Sequence, residues 1–120
     1  MALTVPTVKG PLGAKGQIAN VITHRSAISS NDSAWPSDNA TSIDCSGWKK
    51  ALIECTLTGT GFDITPGFWD GTNFIKGQKR TVTENTRFEL DVNGGTLFIL
   101  VDGEQGSSTI TVKVTPFNPD

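Results

Sequence analysis

The chain has 120 residues, with ten Lys or Arg, twelve Asp or Glu and a formal net charge of −2 at pH 7. That length fits a single domain, which buries roughly 65% of the surface that its unfolded chain exposes and needs no metal or disulfide staple. Basic pairs such as Lys79-Arg80 are isolated and are interpreted as solvated strand ends. Because the sequence contains no basic stripe, we do not expect the protein to bind nucleic acid. No window has the ~18 apolar residues that cross a bilayer, and the first residues lack the regions of a signal peptide. We therefore expect no membrane partner and synthesis in a cytoplasm.

Residues 1–17 are predicted to form an extended N-terminal arm, and residues 18–120 a single domain. Closely spaced Pro and Gly exclude both a helix and a central strand from the arm. The arm also carries apolar residues that would be wasted in water, and four of them are candidate partner-binding residues: Leu3, Val5, Val8 and Leu12. Two interpretations stay open: the arm folds back over its own sheet, or it docks on a neighbouring subunit.

A short first strand is predicted over residues 18–26, followed by a polar loop over residues 28–42. Loops of this length are uncommon in compact domains and tend to be functional or held against another part of the structure. We therefore expect Trp35, in the middle of this loop, to make a specific contact. Trp35 either plugs the loop onto the core or is an exposed partner contact.

The clearest strand pattern begins after residue 50. Residues 51–57 alternate apolar and polar side chains, with Leu52 as the one exception, which is typical of a half-buried strand. Gly59-Thr60-Gly61 breaks that strand, and the Asp-Gly pair between Trp69 and Phe74 predicts a hairpin.

Further strands are predicted over residues 81–83, 87–92, 96–101 and 109–115. The run TLFILV at 96–101 is apolar on both faces, which indicates a central strand covered on both sides. Turns are predicted over 93–95 and 102–108, and Pro116 is expected to stop the last strand. Together these signals predict an all-β fold: an antiparallel β-sandwich, jelly-roll-like, of seven or eight short strands.

The sequence shows no pattern of catalytic, metal-binding or cofactor-binding residues, so we expect a protein that is not an enzyme and holds no metal or cofactor. His24 is expected to be a surface or strand-end residue. Cys45 and Cys55 are interpreted as reduced, buried residues without a disulfide or reactive role. Carboxylates near strand ends, such as Asp63 and Asp102, are expected to cap turns and blunt sheet edges rather than bind Ca²⁺.

Aromatic residues cluster at the predicted hairpin. Phe68, Trp69, Asp70 and Asn73 form a possible glycan platform, in which a sugar ring stacks on the aromatics beside polar side chains. The alternative is that these aromatics belong to the sandwich core.

The segment IDCSGW at 43–48, the alternating strand after it, the Gly-Thr-Gly break and the Trp69-Asp70-Gly71 hairpin resemble the small β-sandwich virion proteins of tailed bacteriophages. This resemblance covers about residues 43–115 and includes head decoration, or cement, proteins and tail-associated modules. It implies a non-enzymatic, virion-located subunit, often trimeric, whose arm fastens neighbours in a lattice of capsid or other virion proteins. The alternative function is a carbohydrate-binding module that uses the platform around Trp69.

Overall fold

A computed structural model describes residues 16–32, 42–69, 71–92 and 94–119. Within these ranges every regular element is a strand, and the described part of the chain has nine of them. The strands are β1 (Ile22–Ile28), β2 (Ile43–Asp44), β3 (Lys50–Thr58), β4 (Gly61–Trp69), β5 (Phe74–Lys76), β6 (Arg80–Val82), β7 (Thr86–Asp91), β8 (Thr96–Gln105) and β9 (Thr109–Phe117).

The strands form two antiparallel sheets. The first sheet has the order β1-β9-β3-β7, and the second has the order β2-β8-β4-β5, with β6 also paired to β4. The predicted all-β antiparallel sandwich is thus confirmed. The structure has one strand more than the upper predicted number because β2, which is only two residues long, was not predicted.

The core lies between the sheets and follows the period-two pattern of the strands. In the first sheet Ile53 of β3 is paired with both Val114 of β9 and Phe88 of β7. In the second sheet Ile64 of β4 is paired with Val101 of β8. Fully burying one such side chain stabilises the fold by roughly 1.5–3 kcal/mol. The 96–101 strand is buried on both faces, as predicted, because its core-facing residues and Phe98 on the other face are buried. The prediction of a central strand holds only at Thr96 and Leu97, where β2 pairs with it; beyond them its described strand partner is β4 alone.

Two strand ends were predicted wrongly. Strand β8 continues to Gln105, through the residues that were predicted as a turn, and passes them with an irregular register opposite Gly61 and Asp63. Strand β9 runs through Pro116 to Phe117. The Pro116 carbonyl accepts the Ala19 N–H at 2.9 Å, so the side of Pro116 that lacks an N–H faces residues 16–19 and not β3.

The IDCSGW segment consists of β2 and the turn that follows it. Asp44 Oδ1 accepts the Ser46 backbone N–H at 2.9 Å, and the Cys45 N–H donates to the Gly95 carbonyl at 2.7 Å. The hydrogen bond from the Ser46 backbone, with a smaller contribution from the Ser46 side chain, lowers the pKa of Asp44. The motif on which the resemblance depends is therefore a turn that ties β2 to the start of β8.

Both cysteines are free and buried, as predicted. Burial raises the pKa of the Cys45 thiol to about 11, and the nearby Asp44 charge adds to the effect. Burial also raises the pKa of Cys55 to about 11, although the Arg80 charge acts in the opposite direction. Neutral thiols are poor nucleophiles, which agrees with a packing role.

Candidate binding site at one end of the sandwich

The structure describes only part of the predicted site. Phe68, Trp69 and Asn73 are described, and Asp70 lies outside the described residues. The five predicted partner-binding residues also lie outside them: Leu3, Val5, Val8, Leu12 and Trp35.

The predicted aromatic cluster divides between the two faces of the second sheet. Phe68 packs against the core, as the core interpretation expected, and Phe62 is fully buried. Trp69 points the other way and is 38% exposed. Its partner across the hairpin is Phe74, whose ring centroid lies 5.0 Å from that of Trp69 at an interplanar angle of 48°. Of the described aromatics at this hairpin, Trp69 and Phe74 are thus the two placed to present aromatic surface outside the core.

Trp69 borders an open depression of about 510 Å³ at the end of the sandwich. Because β4 pairs with β8, Trp69 lies opposite Thr96, and the turn before β8 forms the other wall. Gly94 has a φ of +78°, and a Cβ on it would meet nothing within 4 Å. The turn therefore needs glycine for its backbone conformation, and the missing side chain keeps the depression open. The lining residues are Phe68, Trp69, Gly71, Val92, Gly94, Gly95 and Thr96.

None of the described lining residues is charged; Asp70, which follows Trp69 in the chain, lies outside the described residues. An exposed indole beside this depression suits the apolar C–H face of a sugar ring, while Thr96 and backbone groups supply hydrogen-bonding partners. Asn73 is exposed on the same hairpin. The sequence predicted the Trp69 hairpin but not the wall formed by Gly94 and Gly95. This wall lies beside Trp69 because β4 pairs with β8, and the sequence does not show which strands pair.

A second polar feature, which the sequence did not predict, lies along the edge of β8. Strand β2 pairs with β8 only at Leu97 and Thr96, so no strand among the described residues neighbours the backbone of β8 on that side beyond Leu97. The Ile99 N–H donates to His24 Nε2 at 2.9 Å. The Val101 N–H donates to Asp32 Oδ2 at 2.8 Å. Side chains thus replace the missing strand.

Arg25 completes this edge and is 1% exposed. Its Nη2 donates to Asp32 Oδ2 and, at 3.4 Å, to the Ile99 carbonyl. Its guanidinium carbon lies 5.4 Å from the centroid of Phe98, on the face of β8 opposite to the core. Two guanidinium nitrogens, Nε and Nη1, have no hydrogen-bond partner within the described ranges. We call His24, Arg25 and Asp32 the edge cluster.

His24 was predicted at the surface, and that prediction was wrong: it is 2% exposed. The reason is a β-bulge. Thr23 pairs with Lys113 and Arg25 with Val112, so His24 is an extra residue, and both His24 and Arg25 reach β8. His24 Nε2 also lies 3.3 Å from the Ile99 carbonyl, but the shorter contact with the N–H makes Nε2 an acceptor and therefore unprotonated. The described bonds of His24 and Asp32 to β8 end on backbone groups, which makes the edge cluster a structural brace.

The base of the arm is fixed at a corner of the first sheet. Asn118 exchanges backbone hydrogen bonds with residues 16 and 17, at 3.0 and 2.9 Å, and Ile18 bridges to Phe117. The Asn118 side chain is buried, accepts the Lys49 N–H at 2.8 Å and donates to the Gly47 carbonyl at 3.2 Å. The chain therefore enters the sandwich at a fixed point, with Ile18 40% exposed beside it.

The described residues contain no group of three or more His, Cys, Asp or Glu placed to hold a metal ion. Across the same ranges, no helix is long and apolar enough to cross a membrane. Comparison with protein-family models, with curated proteins and with solved structures gave no match.

Proposed function

We propose that this chain is a non-enzymatic structural subunit of a virion, a decoration or cement protein that binds a lattice of other subunits through its N-terminal arm. The observation that carries this proposal is the anchored arm base. Residues 16–19 run antiparallel to the end of β9, so the arm starts from a rigid corner beside exposed apolar surface. A fixed origin lowers the entropy lost when an arm binds a neighbour. The resemblance of residues 43–115 to phage virion proteins supports the same function.

The proposal includes self-association, with a trimer favoured. The test compares two full-length variants that carry the same added charge. Leu3→Asp with Val8→Asp alters the proposed anchors, whereas Thr4→Asp with Thr7→Asp alters polar neighbours. Light scattering should give the mass of a trimer for the parent chain and the control, and of a monomer for the anchor variant. A monomer for all three proteins, or equal masses for both variants, would contradict an assembling arm.

A second candidate function is carbohydrate binding, which the Trp69 depression specifically favours. It predicts that a neutral oligosaccharide from a panel of cello-, chito-, malto- and manno-oligosaccharides changes the tryptophan fluorescence. Trp69→Ala should abolish that response, while Ile75→Ala, another exposed apolar residue of the hairpin, should retain it. No response of the parent chain to any member of the panel would rule this function out.

A further inference from the structure

The sandwich has an open flank where the edge strand β7 of the first sheet faces β6 and residues 77–79 of the second. A groove of about 370 Å³ lies there. Gly77 allows its segment to approach β4 closely, since a Cβ on it would lie 3.0 Å from the Pro66 ring. The groove is lined by Ile64, Pro66, Gln78, Lys79, Arg80, Phe88 and Leu90.

The groove has an apolar interior and a cationic rim. Its interior residues come from facing strands: Ile64 and Pro66 from β4, and Phe88 and Leu90 from β7. The rim is formed by Lys79, in the segment that joins β5 to β6, and by Arg80, the first residue of β6. A ligand that fills this groove needs an apolar body and an anionic end.

Arg80 is held in position by its strand and by an aromatic ring. It pairs with Ile64, so its side chain starts on the face of the sheet that points to the core. Its guanidinium carbon lies 3.8 Å from the centroid of the Phe88 ring. Stacking on the ring fixes the plane of the guanidinium and leaves its N–H groups at the edge available to an anion.

The rim has little compensating negative charge. Within the described ranges, no carboxylate lies within 4.0 Å of the Arg80 guanidinium. Lys79 Nζ is at 4.0 Å from Asp63 Oδ2, the limit for an ion pair, and Asp63 Oδ1 already accepts the Thr81 hydroxyl at 2.7 Å. Arg80 at the mouth of the apolar groove therefore has no ion-pair partner among the described residues.

We propose that this groove binds a carboxylate attached to an apolar chain, with the carboxylate on Arg80 and the chain between Phe88 and Leu90. A planar carboxylate matches the guanidinium edge with two parallel N–H···O bonds. Ile64 and Pro66 form the floor on which the apolar chain lies. This site goes beyond the proposed function, since it involves neither the arm nor Trp69.

The same observations have a purely structural interpretation. Charged side chains that point inward protect an edge strand from pairing with another chain, and Arg80 would serve in that way on β6. This interpretation predicts an empty groove. The two are separated by ligand binding and not by stability.

The test titrates the full-length chain with octanoate, using acetate and 1-octanol as comparison ligands, and follows methyl and amide NMR signals. Octanoate should shift the signals of Ile64 and Leu90. Acetate lacks the chain and octanol lacks the charge, so both should bind at least about tenfold more weakly. Equal binding of octanol and octanoate, no binding of octanoate, or shifts confined to the Trp69 end would overturn the proposal.

Two charge-removing variants identify the binding residue. Arg80→Gln should weaken octanoate binding by about tenfold or more. Arg87→Gln removes an equal charge from an exposed position of the adjacent strand β7 and should leave binding within about twofold. A thermal melt of each variant checks that the fold is retained. If Arg80→Lys, which keeps the charge, binds octanoate as weakly as Arg80→Gln, the planar guanidinium is required for binding. In a separate competition experiment, displacement of octanoate by equimolar inorganic phosphate would overturn the assignment of a carboxylate site.

Discussion

The second sheet has two long edges, and the chain covers them in different ways. The edge of β8 is covered by the edge cluster, whose buried side chains bind backbone groups directly. The far edge of β4 is covered by two short strands, β6 at Phe62 to Ile64 and β5 at Gly67 to Trp69. At the first edge, side chains accept the backbone N–H groups of Ile99 and Val101, whereas two strands with a gap between them leave a groove at the second. The difference indicates a structural edge at β8 and a binding edge at β4.

Removing the acid of the edge cluster should have the largest effect. Asp32→Ala leaves the Arg25 charge buried without its partner and the Val101 N–H without an acceptor. The free energy of unfolding should therefore fall by about 3–5 kcal/mol. Urea denaturation measures this loss. Asp32→Asn keeps an oxygen for Val101 and should lose less. A loss below about 1 kcal/mol for Asp32→Ala would mean that the β8 edge is not braced by this pair.

Removing the histidine acceptor should have the next largest effect. His24→Phe retains an aromatic ring beside Phe98, with which His24 makes an edge contact at 5.1 Å, but leaves the Ile99 N–H without its acceptor. The expected loss is about 1–3 kcal/mol, the cost of one buried unsatisfied donor. The urea midpoint of His24→Phe, compared with that of the parent chain, gives the value. An unchanged midpoint would show that water reaches the β8 edge.

The β4 edge, which β5 and β6 cover with a gap between them, is called the divided edge. A substitution there should reduce the free energy of unfolding by less than the two substitutions at the β8 edge. Gly77→Ala places a Cβ at 3.0 Å from the Pro66 ring, so either the connecting segment or the ring must shift. We expect a loss of about 1 kcal/mol in urea denaturation. Gln78→Ala, which changes an exposed neighbour, should stay within about 0.5 kcal/mol. Equal losses for the two variants would show that Gly77 is not needed for close approach.

The smallest effect concerns the two buried thiols and tests which edge opens first. Each pKa is raised from 9.0 to about 11, so the folded state holds its thiol protons more tightly than the unfolded state. Stability should therefore fall as pH rises from about 9 towards 11, and both thiols should react slowly with a disulfide reagent near neutral pH. Cys55 experiences the Arg80 charge and lies on the side of the divided edge. In Cys45→Ala, Cys55 should react faster than Cys45 does in Cys55→Ala, and the reverse order would place the weaker edge at β8.

The sequence predicted the fold well where period two holds. Residues 109–115 alternate without interruption and residues 51–57 alternate except at Leu52, and the two segments form adjacent strands in the first sheet. The prediction failed where residues that are typical of a turn or a strand end lie within a strand. Asp102-Gly103 resembles a turn and Pro116 resembles a strand end, but both lie within long strands because neighbouring segments supply the pairing.

The candidate sites were predicted only as far as one hairpin extends. Trp69 was identified as a site residue because the predicted hairpin places it at a strand end; Phe74 was predicted only as the other end of that hairpin, and its ring contact with Trp69 was not predicted. The edge cluster was missed because a bulge puts His24 and Arg25 on one side, which breaks the alternation that sequence reasoning relies on. The Arg80 groove was missed because Lys79-Arg80 alone shows no sign of the ring that it meets from β7.

The position of β9 in the first sheet has a consequence for how the chain folds. It lies between β1 and β3, although it is the last described strand to be synthesised. Contacts between such distant segments make folding slow, typically milliseconds to seconds. Until β9 arrives, β1 and β3 are unpaired on the sides that it will occupy. The two irregularities in the register of β1 should then disfavour aggregation, because a bulged strand is a poor template for pairing with another nascent chain.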